Sequence, residues 1–259
     1  MSAPQWDLSE LVDSTELDRL KKDLEAMVED VRRFADRYRG RIADLDPSGL
    51  RDMLQEKDEL ALRYEGPESY CSLRFAADMT DPVSNSLNSA LMRAGTEASQ
   101  ALAFVSIELG KLLLARPELI EEPILADYKH YLERRAKAAP HLLSEAEEKV
   151  ILAKDQNGLF TLSRLQSKWL STRTFDVVID GEARSLSMGE VYAYMYDPDR
   201  ATRRAVYESI HTTIRRDELL WADILKAIVN DHAAMCKLRR YSSPLEPSLL
   251  VNDVEADAV

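Results

Sequence analysis

Four histidines are spread through the 259 residues, His130, His141, His211 and His232, and no two of them stand four positions apart. Two imidazoles one helical turn apart with a glutamate between them form the His-Glu-x-x-His zinc site, in which the glutamate is the general base. That string does not occur in these residues. Glu208-Ser209-Ile210-His211 does set a carboxylate and an imidazole on one helical face, the spacing used in di-iron bundles. Such a site needs two motifs of this kind and two further glutamates, so a surface ion pair is the better reading of a single one. His130 with Glu133, and Asp231 with His232, are too sparse for a ligand set. His141 beside Pro140 suits a loop hydrogen bond better than a proton transfer. Cys71 and Cys236 carry no nucleophile signature, and neither a Gly-x-Ser-x-Gly elbow nor a phosphate-cradling glycine loop is found. The residues thus assign no catalytic, cofactor-binding or metal-binding position.

The elements that would position any chemistry follow from composition and periodicity. Hydrophobic residues make up 45% and charged residues 31% of the chain, an ordinary globular balance with enough length for a buried core. A net charge of -12 argues against nucleic acid and against an anionic membrane surface, both of which need a cationic face. The pairs Arg134-Arg135, Arg203-Arg204, Arg215-Arg216 and Arg239-Arg240 are set among acids and read as solvated helix faces. Two distant cysteines fit small buried hydrophobes in a reducing compartment, and the first ten residues lack the basic start and apolar core of a signal peptide. Leu102 to Leu114, the most apolar region, is interrupted by Glu108 and Lys111 and is too short to span a bilayer. A cytoplasmic location is expected.

Few glycines and pervasive helical spacing predict a mainly α chain. Ser14 is expected to cap a first helix whose Leu17, Leu20, Leu24, Met27, Val31, Phe34 and Tyr38 form a heptad-like seam up to Gly40. Leu87, Leu91, Ala94, Ala98, Leu102, Val105, Leu109 and Leu112 supply a matching seam after Pro82, on a helix about 50 Å long. Between them, two shorter helices are expected, divided at Gly66-Pro67. Asp46-Pro47, Asp81-Pro82 and Asp197-Pro198 look like helix starts, a capping carboxylate followed by a proline that needs no N–H. Ser144 with Glu147 and Ser187 with Glu190 are capping boxes. Phe175, Val177 and Ile179 alternate before Asp180-Gly181, the pattern of a β-hairpin near 174–187. A long helix is expected near 198–240, then a loop to Asn252, where a new helix is capped and abandoned at Val259. The expected organisation is an antiparallel helical lobe over 1–115, short helices and the hairpin over 116–196, and the truncated start of a further domain over 197–259. Trp6, Trp169 and Trp221 are expected in cores or lobe interfaces rather than in a ligand cage.

Tyr128 to Lys149 carries the most specific signal. Tyr128, His130, Leu132, Arg134 and Arg135 run into Pro140, His141, Leu143, Ser144, Glu147 and Glu148, and in this order they resemble the oligoendopeptidase F branch of the thimet-oligopeptidase-like zinc metallopeptidases. Trp6-Asp7-Leu8-Ser9, Phe104 to Leu112, the Asp-Gly hairpin, Arg239-Arg240-Tyr241 and Asn252 extend the resemblance over most of the chain. It implies the N-terminal part of a zinc-dependent endopeptidase acting on oligopeptides, in which these residues form one wall of the substrate channel. Zinc belongs to the full-length family enzyme, and none is expected on this chain alone. The alternative is a non-catalytic helical interaction module derived from the same family, and intramolecular packing is the simpler account of the heptad seams. Without partner helices, the 198–240 helix is expected to self-associate.

Overall fold

Leu20, Leu24, Met27, Val31 and Phe34, spaced by threes and fours, are all buried along α1 (Leu17–Tyr38) in the structure of the chain, a computed structural model describing residues 7–13 and 15–259. α1 packs against α2 (Pro47–Ala77) and α3 (Pro82–Ala115), and the two seams meet as their spacing requires. One cluster joins Leu20, Leu24, Met27 and Val31 to Leu87 and Leu91. A second joins Phe34, Leu50 and Met53 to Phe104, Leu109 and Leu113, and continues to Leu125 and Leu132. By length and composition α3 is apolar enough to cross a membrane, and 44% of its most apolar stretch is buried within the chain. Its apolar residues serve both clusters.

The Asp-Pro starts hold at two of three places. Asp46 accepts from the Gly49 N–H at 2.8 Å, and Asp81 from the Ser84 N–H at 2.9 Å. At the third, the cap falls two residues later: Asp199 accepts from the Thr202 N–H at 2.8 Å, and Asp197 is occupied by the Asp199 N–H. The expected cap Ser14, like Trp6, lies outside the described residues.

Gly66-Pro67 does not divide two helices, because α2 runs unbroken through it. An interior proline removes one backbone bond and costs about 3 kcal/mol in isolation. Buried Tyr64 on one side, and Tyr70 and Cys71 on the other, anchor both arms in the core and override it. Gly66 serves a close approach: a Cβ there would sit 2.3 Å from the Leu11 carbonyl oxygen.

The chain divides into two compact units, residues up to Gln156 together with Met235–Val259, and Asn157–Ala234. In the second, β1 (Phe175–Ile179) pairs antiparallel with β2 (Glu182–Leu186), with Phe175 opposite Leu186 and Ile179 opposite Glu182. Asp180 and Gly181 turn the chain at φ of 54° and 78°, the positive values a two-residue hairpin turn requires. Phe175, Val177 and Ile179 bury their shared face against Val206 and Ile210 of α8 (Arg200–Arg215) and Val191 of α7 (Met188–Ala193).

The expected 198–240 helix is two helices, α8 and α9 (Glu218–Leu238). At the break, the Asp217 carboxylate accepts from Trp169 Nε1 of α6 (Leu159–Ser171) at 2.9 Å and faces Arg173 at 3.7 Å. A side chain anchored in this way at the junction favours a new helix start over continuation. Of the 21 residues of α9, only Cys236 is buried. Beyond it, the expected loop to Asn252 contains α10 (Glu246–Asn252), which Asn252 ends rather than starts, with Asp253 left-handed at φ 56°.

Candidate functional site

α4 (Lys129–Ala138) and α5 (Glu145–Asn157) carry the segment with the most specific sequence signal, and its side chains converge on the chain's last twenty-odd residues. Arg239 donates from Nη1 to Glu148 Oε1 at 2.6 Å and from Nη2 to Glu148 Oε2 at 2.8 Å, a fork on a carboxylate. The same guanidinium reaches the His141 carbonyl at 3.3 Å, and the Leu143 N–H closes on Glu148 at 3.1 Å. Burial pushes the Glu148 carboxyl up, but the Arg239 and Leu143 donors outweigh it and hold the group below its ordinary range.

His141 stacks on Tyr241 with ring centroids 4.1 Å apart and planes 17° from parallel. Its Nδ1 donates to the Arg239 carbonyl at 3.1 Å, which fixes the ring, and Nε2 lies 3.6 Å from Glu246. Two backbone features make the stack possible. Gly110 of α3 leaves room for Ala139, whose Cβ a glycine substitution would meet at 2.9 Å, so the 139–141 turn lies close on the core. Arg240 is left-handed at φ 61° and the Tyr241 N–H bonds the Cys236 carbonyl at 2.9 Å, a helix stop that swings Tyr241 onto the imidazole.

Arg134 donates to the carbonyls of Leu250 and Val251 at 3.2 and 2.9 Å, satisfying the orphan acceptors at the end of α10. His130 Nε2 and Asp253 Oδ2 lie 2.6 Å apart. On the other face of α4, Leu132 is fully buried, Arg135 stacks over Tyr131 at 4.9 Å, and the Tyr128 hydroxyl donates to Asp58 at 3.0 Å. Burial and that carboxylate push the Tyr128 hydroxyl up to about 12. The residues picked out by sequence therefore build a joint between α4–α5 and the 236–255 stretch.

Its chemistry is structural. The Glu148 carboxylate is matched by Arg239, and His141 is held by a carbonyl and a ring. Glu208 pairs with Arg204 at 2.9 Å and His211 lies against Tyr207 at 4.0 Å, so Glu-x-x-His is a surface arrangement. Burial pushes the Cys71 thiol up to about 11, far from a nucleophile's range. Among the described residues, no three His, Cys, Asp or Glu side chains are grouped to hold a metal ion. Sequence reasoning missed the roles of Glu246 and Asp253, the latter read only as part of a helix cap at Asn252; only the fold brings them to His141 and His130.

The sequence and the fold have known counterparts. The Oligopeptidase F family model matches residues 117–166, which contain α4 and the start of the joint. The chain is similar to oligopeptidase PepF of Bacillus subtilis (strain 168), 23% identical over 96% of this chain and 37% of that protein. It is likewise 23% identical to group B oligopeptidase PepB of Streptococcus agalactiae serotype III (strain NEM316), over 96% of this chain and 41% of that one. The fold matches a crystal structure of oligoendopeptidase-F from Enterococcus faecium with a TM-score of 0.74 at 20% identity, covering 94% of this chain and 48% of the other. A structure of a putative peptidase from Chlamydophila abortus matches with a TM-score of 0.59 at 20% identity, covering 97% of this chain and 42% of that chain. The resemblance to oligoendopeptidase F thus holds over nearly all of this chain, which spans about two-fifths the length of the curated relatives it matches.

Proposed function

We propose that these residues are the N-terminal region of a zinc-dependent oligoendopeptidase hydrolysing short peptides, forming part of the wall of its substrate channel and inactive alone. The observation that carries this is the near-complete coverage of the chain by similarity to oligopeptidases, with the family match on the α4–α5 joint. The described residues do not fit a zinc site, so no step through the metal is assigned to them. Their contribution is to shape: the three-helix lobe of α1, α2 and α3 gives a wall, and the joint ties the stretch from Met235 onward to α4 and α5. The 197–259 stretch begins the catalytic domain in this proposal. The protein acts on oligopeptides in the cytoplasm, binds neither nucleic acid nor membrane, and self-associates through α9 when that helix is uncovered. Sequencing the gene beyond the Val259 codon tests it. An in-frame His-Glu-x-x-His is the expected result; a stop codon with no such segment would overturn the proposal in favour of a non-catalytic helical module.

A further inference from the structure

The solvent face of α8 does not resemble the rest of this acidic protein. While Thr202, Val206, Ile210 and Thr213 are buried, Arg200, Arg204, Tyr207, His211 and Arg215 follow one another by steps of three and four along the exposed side. Arg203, Met195, Tyr207 and Glu208 line one open cleft with Arg200 and Arg204, so the stripe has a concave upper end. Beside the cleft, Tyr192 and Tyr196 are 50% and 77% exposed with rings 6.1 Å apart.

The acids at the two ends of this stripe are held in place by hydrogen bonds. Asp199 caps α8 through Thr202, Asp197 takes the Asp199 N–H, and Asp217 is held by Trp169. The stripe's own carboxylate, Glu208, pairs with Arg204 in the open, where such a pair is weak and readily exchanged. Arg203 Nη1 donates to the backbone carbonyls of Asp197 and Pro198, which fixes its guanidinium in the cleft wall, within reach of the Asp199 charge. In a chain of net charge -12, guanidiniums interleaved with exposed tyrosines are the residue types that carry interface energy, arginine forking onto carboxylates and tyrosine offering large area at low entropic cost.

We propose that the outer face of α8 docks an acidic polypeptide segment, with two carboxylates one helical turn apart meeting Arg200 and Arg204, a third about three turns further on meeting Arg215, and an apolar or aromatic residue seated between Tyr207 and Met195. The surface lies within one compact unit and draws on none of the joint residues, so it stands whether or not the proposed peptidase reading does.

Fluorescence anisotropy on the full 259-residue chain tests it, using a labelled helical peptide with glutamates at i, i+4 and i+15 and one phenylalanine between, beside its all-glutamine counterpart. The glutamate peptide should bind, and Arg204→Glu with Arg215→Glu should weaken it by about tenfold or more, as expected for reversing close charge pairs. Both side chains are exposed, so circular dichroism should show these variants folded. Tyr207→Ala should weaken both peptides alike, and hydrogen exchange on bound protein should slow in residues 192–215. Three outcomes would each overturn the proposal: equal binding of the glutamine peptide, unchanged affinity in the reversed-charge variant, or equal affinity for a short DNA duplex, which would make the stripe a general anion patch.

Discussion

The Arg239 guanidinium grips the Glu148 carboxylate through two bonds, 2.6 and 2.8 Å long, with only 20% and 14% of the two side chains exposed. This pair ties the end of α9 to α5. Truncating one member of a mostly buried pair leaves the other charged and unmatched, so Arg239→Ala should destabilise the fold by about 2–4 kcal/mol at neutral pH. Glu148 has a folded-state pKa below its ordinary value, so its contribution is present above that ordinary value and is lost as pH falls through the lower, folded one. The deficit of Arg239→Ala in urea denaturation should therefore shrink through the acid carboxylate range. Replacing both partners by leucine and methionine should restore most of the loss. A deficit that stayed constant with pH would show that Arg239 acts through packing instead.

The hairpin turn makes a sharper point about backbone. A Cβ on Gly181 would touch nothing within 4 Å, so the cost of Gly181→Ala is purely the left-handed conformation, φ 78°. That cost is roughly 1–2 kcal/mol. Amide exchange in Phe175–Ile179 and Glu182–Leu186 should speed up, while α1–α3 keep their protection. Unchanged exchange in the strands would contradict the turn assignment.

How much of this was legible depends on the range of the interaction. The α1 and α3 seams, two Asp-Pro caps, both capping boxes and the hairpin are set by residues within a few positions of one another, and local spacing revealed them. Gly66-Pro67 misled because a local breaker was outweighed by buried Tyr64, Tyr70 and Cys71, whose partners lie on other helices. The α8–α9 break was hidden for the same reason, since Asp217 is an ordinary acid until Trp169 of α6 arrives. At the joint, resemblance singled out His130, Arg134, His141 and Glu148, but spacing alone named none of their partners. Those partners stand about a hundred residues away in sequence.

No metal-ligating group forms among the described residues, and the purified chain is expected to bind no stoichiometric zinc and to leave a quenched oligopeptide uncut. Elemental analysis together with a fluorescence assay, with and without chelator, checks both points. Stoichiometric zinc and chelator-sensitive cleavage would locate catalysis within these 259 residues and refute the proposed division of labour.

α9 supplies the last test, because its sequence and its surroundings disagree. Leu219, Leu220, Leu225 and Val229 are between 43% and 78% exposed, while Trp221 and Ile228 are half-buried. Exposed apolar stretches of this kind drive association. At about 25 cal/mol per Å², covering even a few hundred Å² yields several kcal/mol, and a stable interface needs roughly 800 Å² from each partner, more than one helix face offers. Weak, concentration-dependent self-association is therefore expected, not a tight dimer. Light scattering over a dilution series should show a mass rising above the 29.4 kDa of one chain as concentration increases. Leu225→Glu with Val229→Glu should return it to that mass without loss of helix, since both side chains face water already. A constant single-chain mass across the series, with slow amide exchange throughout Glu218–Leu238, would mean that α9 is stable uncovered and that association through it does not occur.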